Sequence, residues 1–517
     1  VITPFGELPN RLALDMSLAE QHHWLMARVG RRAVLSAGAG LGLAAIVGAA
    51  ASASASAGPS VVGRQVVFGA DPTSQMTVAF AVATAFRSAT VSATGEGHEV
   101  HAHASVQLAP GSTTRYARSS LIGLRSGVTY DYVVQIDGAN AATGKFTTAR
   151  TGVHPFRFSA FGDQGTGSDP VRVLKQVAVL DPALHLFAGD LCYADQSGLG
   201  GPGDVFKPKF WDVWIKQNDP VASRIPWMCV PGNHEMEPGF DVHGYAGVLA
   251  RVPIGGTSPI AVPVASTFRV GSVGFIGLDS NDVSYEIPAN RGWTGGAQTD
   301  WLKSTLAAMR AAGSGIDFVV VFLHASPYST NETHASEGGI RDAWVPLFDQ
   351  HQVDLVISGH NHCYERTLPI RDGQPSTDSS TEVDSAKGTT YVTAGGGGAS
   401  TADYGFIAEA NTRVTDEAGH HNVPVPWRIP AERVSGYSVV CVDVTPAASS
   451  GGQTTLHVRA LDADGAQFDE VVLHRTSTAV APAAADSSAL PWLVGGSVVG
   501  AVAVATGGAL AVRARRG

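Results

Sequence analysis

Two patterns of apolar and polar positions divide the chain. From Val61 to about Thr148 the apolar runs are short and broken by turn residues. They include Gln65–Phe68 and Met76–Val82, then Tyr130, Tyr132 and Val133 after a Leu124-Arg-Ser-Gly127 turn. Short runs at this spacing predict an all-β unit. From Phe156 onward, compact and largely apolar runs alternate with longer, helix-like stretches. These runs are Phe156–Phe161, His185–Ala188, Trp227–Val230, Phe318–Leu323 and Leu355–Ile357. Runs that are apolar on both faces predict strands buried between layers, hence an α/β unit. Trp301, Leu302, Leu306 and Met309 recur at helical spacing and predict a helix over Asp300–Ala312. Further strands are predicted over Thr267–Leu278, Thr389–Thr393, Tyr437–Val444 and Leu456–Ala460. Gly373–Lys387 and much of Asn411–Arg433 are polar and predict surface loops.

Each of the five apolar runs leads directly into residues able to bind a metal. Phe161 is followed by Gly162-Asp163, and Ala188 by Gly189-Asp190-Leu-Cys-Tyr193. Val230 is followed by Pro231-Gly232-Asn233-His234-Glu235, Leu323 by His324, and Ile357 by Ser358-Gly359-His360-Asn-His362. Strand ends along one sheet edge are where open α/β folds place active sites, and the glycines let the chain turn beside an ion. Any one block alone would be an ordinary Gly/Asp or Gly/Asn turn. Five in succession, each after a strand, point to a site.

Composition narrows the choices. A formal charge of −10 implies no broad basic surface, so no nucleic-acid partner is expected. The acidic balance is compatible with a small phosphorylated substrate, because bound metal can supply local positive charge. Four cysteines are too few for a disulfide scaffold and lack zinc-site spacing, so oxygen and nitrogen ligands are expected. His98, His101 and His103 fit the alternation of an exposed strand better than a metal site, and His420 and His421 fit a loop.

The two ends carry a different signal. Arg31-Arg32 precedes an uncharged, Ala- and Gly-rich run to Ala57, which resembles a twin-arginine export signal, with Met16 or Met26 as candidate starts. Ala489–Val512 carries no charge and precedes Arg513, Arg515 and Arg516. That run reaches the roughly 20 residues of a membrane span. The expected organisation is a leader over 1–60, an all-β domain over 61–149, a catalytic domain over 154–475, a linker over 476–488 and a transmembrane helix over 489–512. The expected localisation is the extracellular side of a membrane, after twin-arginine-type export, with the C-terminal helix as anchor.

The five blocks resemble the calcineurin-like metallophosphoesterase superfamily, and Tyr193 in the second block is similar to the purple acid phosphatases. Gly359-His-Asn-His-Cys-Tyr-Glu-Arg366 and the glycines at 395–398 follow the same family. The resemblance covers most of Val61 to Arg475. It implies an α/β catalytic domain, a β-sandwich flanked by helices (αββα), preceded by a fibronectin III-like sandwich. Leu124-to-Tyr132 is similar to the tyrosine corner of such sandwiches. The resemblance also implies a dinuclear centre, Fe(III) with Fe(II), Zn(II) or Mn(II). Asp163, Asp190, Tyr193 and His362 would bind the first ion; Asp190 would bridge to a second held by Asn233, His324 and His360. Hard anionic ligands suit a trivalent ion, and neutral ones a divalent ion. A bridged pair roughly 3.5–4 Å apart makes hydroxide available near neutral pH. His234, His334 and Glu337 match substrate-facing positions, with His334 the expected proton donor to the leaving group.

The implied activity is hydrolysis of phosphomonoesters. A phosphodiesterase or nucleotidase would use the same ions, and a cell-surface binding protein that has lost catalysis is the competing class. Cys192 and Cys363 flank first-metal ligands; a disulfide between them is weighed against two small buried thiols, and the thiols are preferred.

Overall fold

Strands here are built from alternating or fully apolar runs, and both kinds occur. The computed structural model describes residues 60–477, apart from 110–111, 201–203, 239–241, 260, 335, 402–405, 407–410, 425–432 and 448–450, together with a two-residue pairing of Ile2–Thr3 with Gly6–Glu7. The chain divides into one compact unit, Val1–Ala485, and a separate stretch, Asp486–Gly517, which lies outside the described residues.

The first part of the compact unit is two four-stranded antiparallel sheets. One has the order β1 (Val61–Phe68), β2 (Gln75–Val82), β6 (Arg115–Ile122), β5 (Ser105–Leu108). The other has the order β8 (Ala139–Thr147), β7 (Thr129–Ile136), β3 (Ala89–Gly95), β4 (His98–His103). In β7 every second residue is buried, as a half-buried strand requires: Tyr130, Tyr132, Val134 and Ile136 point inward. The Tyr130 hydroxyl accepts from the Arg125 N–H at 2.8 Å and pins the preceding turn. His101 and His103 alternate outward on β4 as expected. Tyr132 donates to Ser223 O at 2.9 Å, and Arg64 pairs with Asp219 at 2.6 Å, tying this part to the second part of the unit.

That second part is a sandwich of two seven-stranded sheets. The first contains β9 (Phe156–Phe161), β10 (Leu184–Ala188) and β11 (Trp227–Val230), parallel, then β20 (Ser438–Thr445), β21 (Gln453–Asp462), β22 (Gln467–Thr476) and β17 (Glu382–Asp384), in the order β11-β10-β9-β20-β21-β22-β17. The second contains β12 (Ser266–Val270), β13 (Val273–Gly277), β14 (Phe318–Phe322), β15 (Leu355–Ser358), β16 (Tyr364–Arg366), β18 (Thr390–Ala394) and β19 (Arg433–Val434), in the order β12-β13-β14-β15-β18-β16-β19. Phe158 meets Phe275 edge-on at 5.3 Å between the sheets. Helices α1 (Ser168–Leu180) and α2 (Lys209–Ala222) bury Val173, Val177, Trp211 and Trp214 against the outer face of the first sheet. Helix α3 (Ala297–Met309) lies on the second, where Gly274 leaves room for Met309. This layering is the expected α/β sandwich between helices.

Two polar stretches expected as loops contain strands. Val383 is buried where β17 pairs with β22, and Asn411–Asp416 pairs with Gly419–Pro424 as a hairpin whose first strand also pairs with Ser336–Glu337. Edge pairing satisfies the backbone of a polar segment without an apolar run to advertise it. The expected export and anchoring are corrected. Among the described residues no helix is long and apolar enough to cross a membrane, and segments 31–57 and 489–512 lie outside the described residues.

His185 lies on β10 with no exposed surface, its ring 4.3 Å from that of Phe161 and 5.1 Å from that of Trp227. Burial pushes its imidazole down to about 3. The folded state therefore holds it neutral while the unfolded chain protonates it below about 6.5. Stability from this group is complete above that pH and is lost as pH falls toward 3, by up to about 1.4 kcal/mol per pH unit. Urea unfolding of the wild type between pH 4 and 7 should show this slope, and His185→Gln should flatten it.

Candidate metal centre

Parallel strands place their C-terminal ends on one edge, and packing two sheets face to face brings two such edges together. The five blocks occupy those edges, three on the first sheet and two on the second. To turn there, Asp163, Asp190, Tyr193 and His360 adopt left-handed backbone, with φ of 60°, 53°, 56° and 69°. Such conformations cost about 1–2 kcal/mol each for non-glycine residues and gather at functional sites. Gly189, with φ of 80°, permits the second turn; a Cβ there would lie 2.6 Å from His324 Nδ1.

One group converges on His324. Its Nδ1 donates to Ala188 O at 2.8 Å, so its Nε2 lone pair faces the cluster. Around Nε2 stand Asn233 Oδ1 at 3.0 Å, His360 Nδ1 at 3.1 Å and Asp190 Oδ1 at 3.3 Å. Four acceptors at this distance require a cation among them or a proton on the ring. Burial alone would lower the His324 pKa, but Asp190 and Asp163 outweigh it and raise it to about 10. Burial likewise opposes ionisation of Asp190, yet His324 and His234 hold its carboxyl well below the usual range. Asp190, His324 and His360 thus form a buried donor set that could hold a metal ion.

A second group lies beside it. Tyr193 Oη is 2.9 Å from His362 Nε2 and 3.3 Å from Asp163 Oδ1, and His362 Nε2 is 3.4 Å from the same carboxylate oxygen. His362 Nδ1 donates to Ser400 O at 2.7 Å, which again turns Nε2 inward. Asp163 Oδ2 accepts from the His360 N–H at 2.8 Å and joins the two groups. A phenol, a carboxylate and an imidazole lone pair are a donor set fitted to a hard cation. All seven residues singled out as ligands therefore meet where the edges of the two sheets come together.

His234 is buried beside them. Its N–H donates to Asp190 Oδ1 at 3.0 Å, its Nδ1 to Asp195 O at 2.5 Å, and its ring lies 4.4 Å from that of Tyr193. His334 stacks on His360 with centroids 3.9 Å apart. Glu337 stands one step back from the position expected for it. Its carboxylate accepts from the N–H groups of Tyr285 and Gly339 at 2.8 and 2.9 Å, and from the Ser284 hydroxyl at 3.0 Å. It caps a short helix and shapes the neighbouring loop.

Two carboxylates are given no role by the sequence patterns above. Glu235, fully buried, accepts from the N–H groups of Asp190, Leu191 and Gly232 at 2.8–2.9 Å and so fixes two ligand turns at once. Burial, then the Asp190 charge, pushes its carboxyl up to about 8 against those donors. Its place directly after Asn233-His234 was the available signal. Glu286 contacts both His334 and His360, and it follows no strand or motif that would mark it. Cys192 and Cys363 are free, buried thiols, with no disulfide between them.

The fold and this edge define a hydrolase of phosphate esters that works with bound metal, and comparison with known proteins agrees. The calcineurin-like phosphoesterase family matches residues 154–364. The uncharacterized protein Rv2577 of Mycobacterium tuberculosis is 31% identical over 455 residues, covering 77% of this chain and 83% of that protein. Purple acid phosphatase 23 of Arabidopsis thaliana is 29% identical over 232 residues, 41% of this chain and 48% of the relative, so the chain spans about half of that protein. The solved structure of purple acid phosphatase PPD1 from yellow lupin (Lupinus luteus) seeds superposes with a TM-score of 0.63 at 20% identity, over 83% of this chain and 78% of that one. The chain belongs to the calcineurin-like phosphoesterase family as a purple acid phosphatase-like member. Members of that kind use a dinuclear metal centre.

Proposed function

We propose that this protein hydrolyses phosphomonoesters, with Asp163, Asp190, Tyr193 and His362 holding one ion, Fe(III), and Asn233, His324 and His360 completing a second, Fe(II), Zn(II) or Mn(II), across a bridging Asp190. The observation that carries this reading is the ring of acceptors around His324 Nε2, each turned inward by a backbone hydrogen bond or a left-handed turn. When bound, the two ions would supply Lewis-acid polarisation of the phosphoryl group and a nucleophile from water.

The chain's own residues do the rest. His234, held at Nδ1 by Asp195 O, presents its Nε2 edge on the Asp190 side, 3.9 Å from Oδ2, where it donates to a non-bridging phosphoryl oxygen as charge develops. His334 protonates the leaving oxygen. Residues 154–475 form the catalytic domain, and 61–149 are a fibronectin III-like support. A phosphodiesterase or nucleotidase using the same residues is the second reading; the family fold does not separate the two.

The test compares the metal-loaded full-length protein on 4-nitrophenyl phosphate and bis(4-nitrophenyl) phosphate. A monoester preference of at least about tenfold in kcat/KM is expected, as is a visible tyrosinate absorption from ferric iron that Tyr193→Phe removes. A diester preference would transfer the function to the second reading. No turnover on either ester would end the catalytic assignment.

A further inference from the structure

No sequence pattern singles out Glu286, yet its carboxylate joins two imidazoles of the site. Oε1 accepts from His334 Nδ1 at 2.8 Å and Oε2 from His360 Nε2 at 3.2 Å. The rings of His334 and His360 stack with planes 30° apart. His334 is the most open of the three side chains, 18% exposed against 9% for Glu286 and 4% for His360. The loop behind is gripped by Glu337, which accepts from the Glu286 N–H at 3.2 Å and the Tyr285 N–H at 2.8 Å. The segment bearing His334 therefore returns, three residues on (337 minus 334), to hold the loop that bears Glu286.

We infer that Glu286 is a positioning residue for leaving-group protonation: it holds His334 by its Nδ1–H, sets the ring over His360 and commits Nε2 to the leaving oxygen. This rests on the proposed role of His334 as proton donor and deepens it. An imidazole whose Nδ1–H is engaged by a carboxylate has only the Nε2–H edge left for exchange with substrate. As the P–O bond breaks, the proton on Nε2 passes to the departing oxygen, His334 becomes neutral, and water returns the proton. The same carboxylate fixes His360 in the opposite sense. There it takes the Nε2 edge and leaves Nδ1, 3.1 Å from His324 Nε2, for the centre. One acid thus assigns one imidazole to the ions and the other to the substrate. The consequence is selective for substrate class. Alkyl phosphates, whose leaving alkoxide needs a proton, depend on Glu286; aryl phosphates with acidic phenols depend on it much less.

In the metal-loaded full-length protein, Glu286→Gln should lower kcat on glycerol 2-phosphate by about 10²-fold, at least tenfold more than on 4-nitrophenyl phosphate. His334→Ala should show the same alkyl-selective loss, and the double variant no greater loss than His334→Ala. Glu286→Asp, which keeps the charge but shortens the reach, serves if the glutamine variant does not fold, and the same selective loss is expected of it. In the metal-free protein, Glu286→Gln and His334→Ala should each remove the same downfield imidazole N–H resonance. Equal losses on both esters with lowered metal content would mean that Glu286 serves only the metal site, overturning the inference, as would persistence of that resonance in Glu286→Gln. Selective loss in His334→Ala without it in Glu286→Gln would overturn the inference and leave His334 as the donor. No selective loss in His334→Ala would overturn both.

Discussion

Asp190→Asn is expected to lower kcat/KM for phosphoester hydrolysis by at least ~10³-fold, about 4 kcal/mol of transition-state stabilisation. Asp190 is buried, accepts from the His234 N–H at 3.0 Å and stands 3.3 Å from His324 Nε2. Asparagine keeps its size but removes its charge and offers an amide to a group already crowded with nitrogen and oxygen donors. The backbone turn is held independently: Glu235 binds the Asp190 N–H at 2.9 Å whatever the side chain. The variant should therefore keep its secondary structure by circular dichroism while metal analysis shows fewer than two ions per chain. Activity within tenfold of the wild type would remove Asp190 from the centre.

Asp469→Ala should cost about 3–5 kcal/mol of stability, because it strands a buried guanidinium. Asp469 lies on β22, and Arg366 reaches it from β16 with two parallel bonds of 2.6 and 2.7 Å. Tyr364 donates to the same carboxylate at 2.6 Å, and both charged side chains are 3% exposed. This contact joins the two sheets of the catalytic sandwich. Tyr364 and Arg366 follow His362 by two and four residues (364 and 366 minus 362), so the anchor also fixes the last ligand block. Between them, Glu365 turns the other way and accepts from the Thr330 N–H at 3.0 Å. Chemical denaturation gives the loss directly, and metal affinity should fall with it. Asp469→Asn, which keeps one acceptor, should lose less. An alanine variant as stable as the wild type would show that Arg366 is satisfied by the Ser380 and Glu470 carbonyls alone.

The strand ends and their blocks were legible because both signals are local. An apolar run that predicts a buried strand and the Gly-Asp or Gly-His that stops it are neighbours in the chain, and β9, β10, β11, β14 and β15 fall where those runs stand. The ligand candidates and His234 stand at or just after those strand ends, three blocks on the first sheet and two on the second, while their division between two ions and the choice of His334 came from the family resemblance. The polar segments were less legible. Asn411–Pro424 pairs through its backbone, and backbone pairing leaves no apolar period to read.

Local sequence is enough to show which residues can do chemistry and at which strand ends they sit, because propensity, period and turn residues act within a few positions. Which atoms meet is settled by the tertiary fold. Glu286 lies 48 residues from His334 and 74 from His360, Asp469 lies 103 from Arg366, and Glu235 lies 45 from the Asp190 N–H it holds. The fold also places Glu337 behind the Glu286 loop and leaves Cys192 and Cys363 as free, buried thiols. These outcomes depend on how two sheets pack and where their edges superpose. That packing is a balance of burial and hydrogen bonding over the whole domain, which no local run of residues encodes.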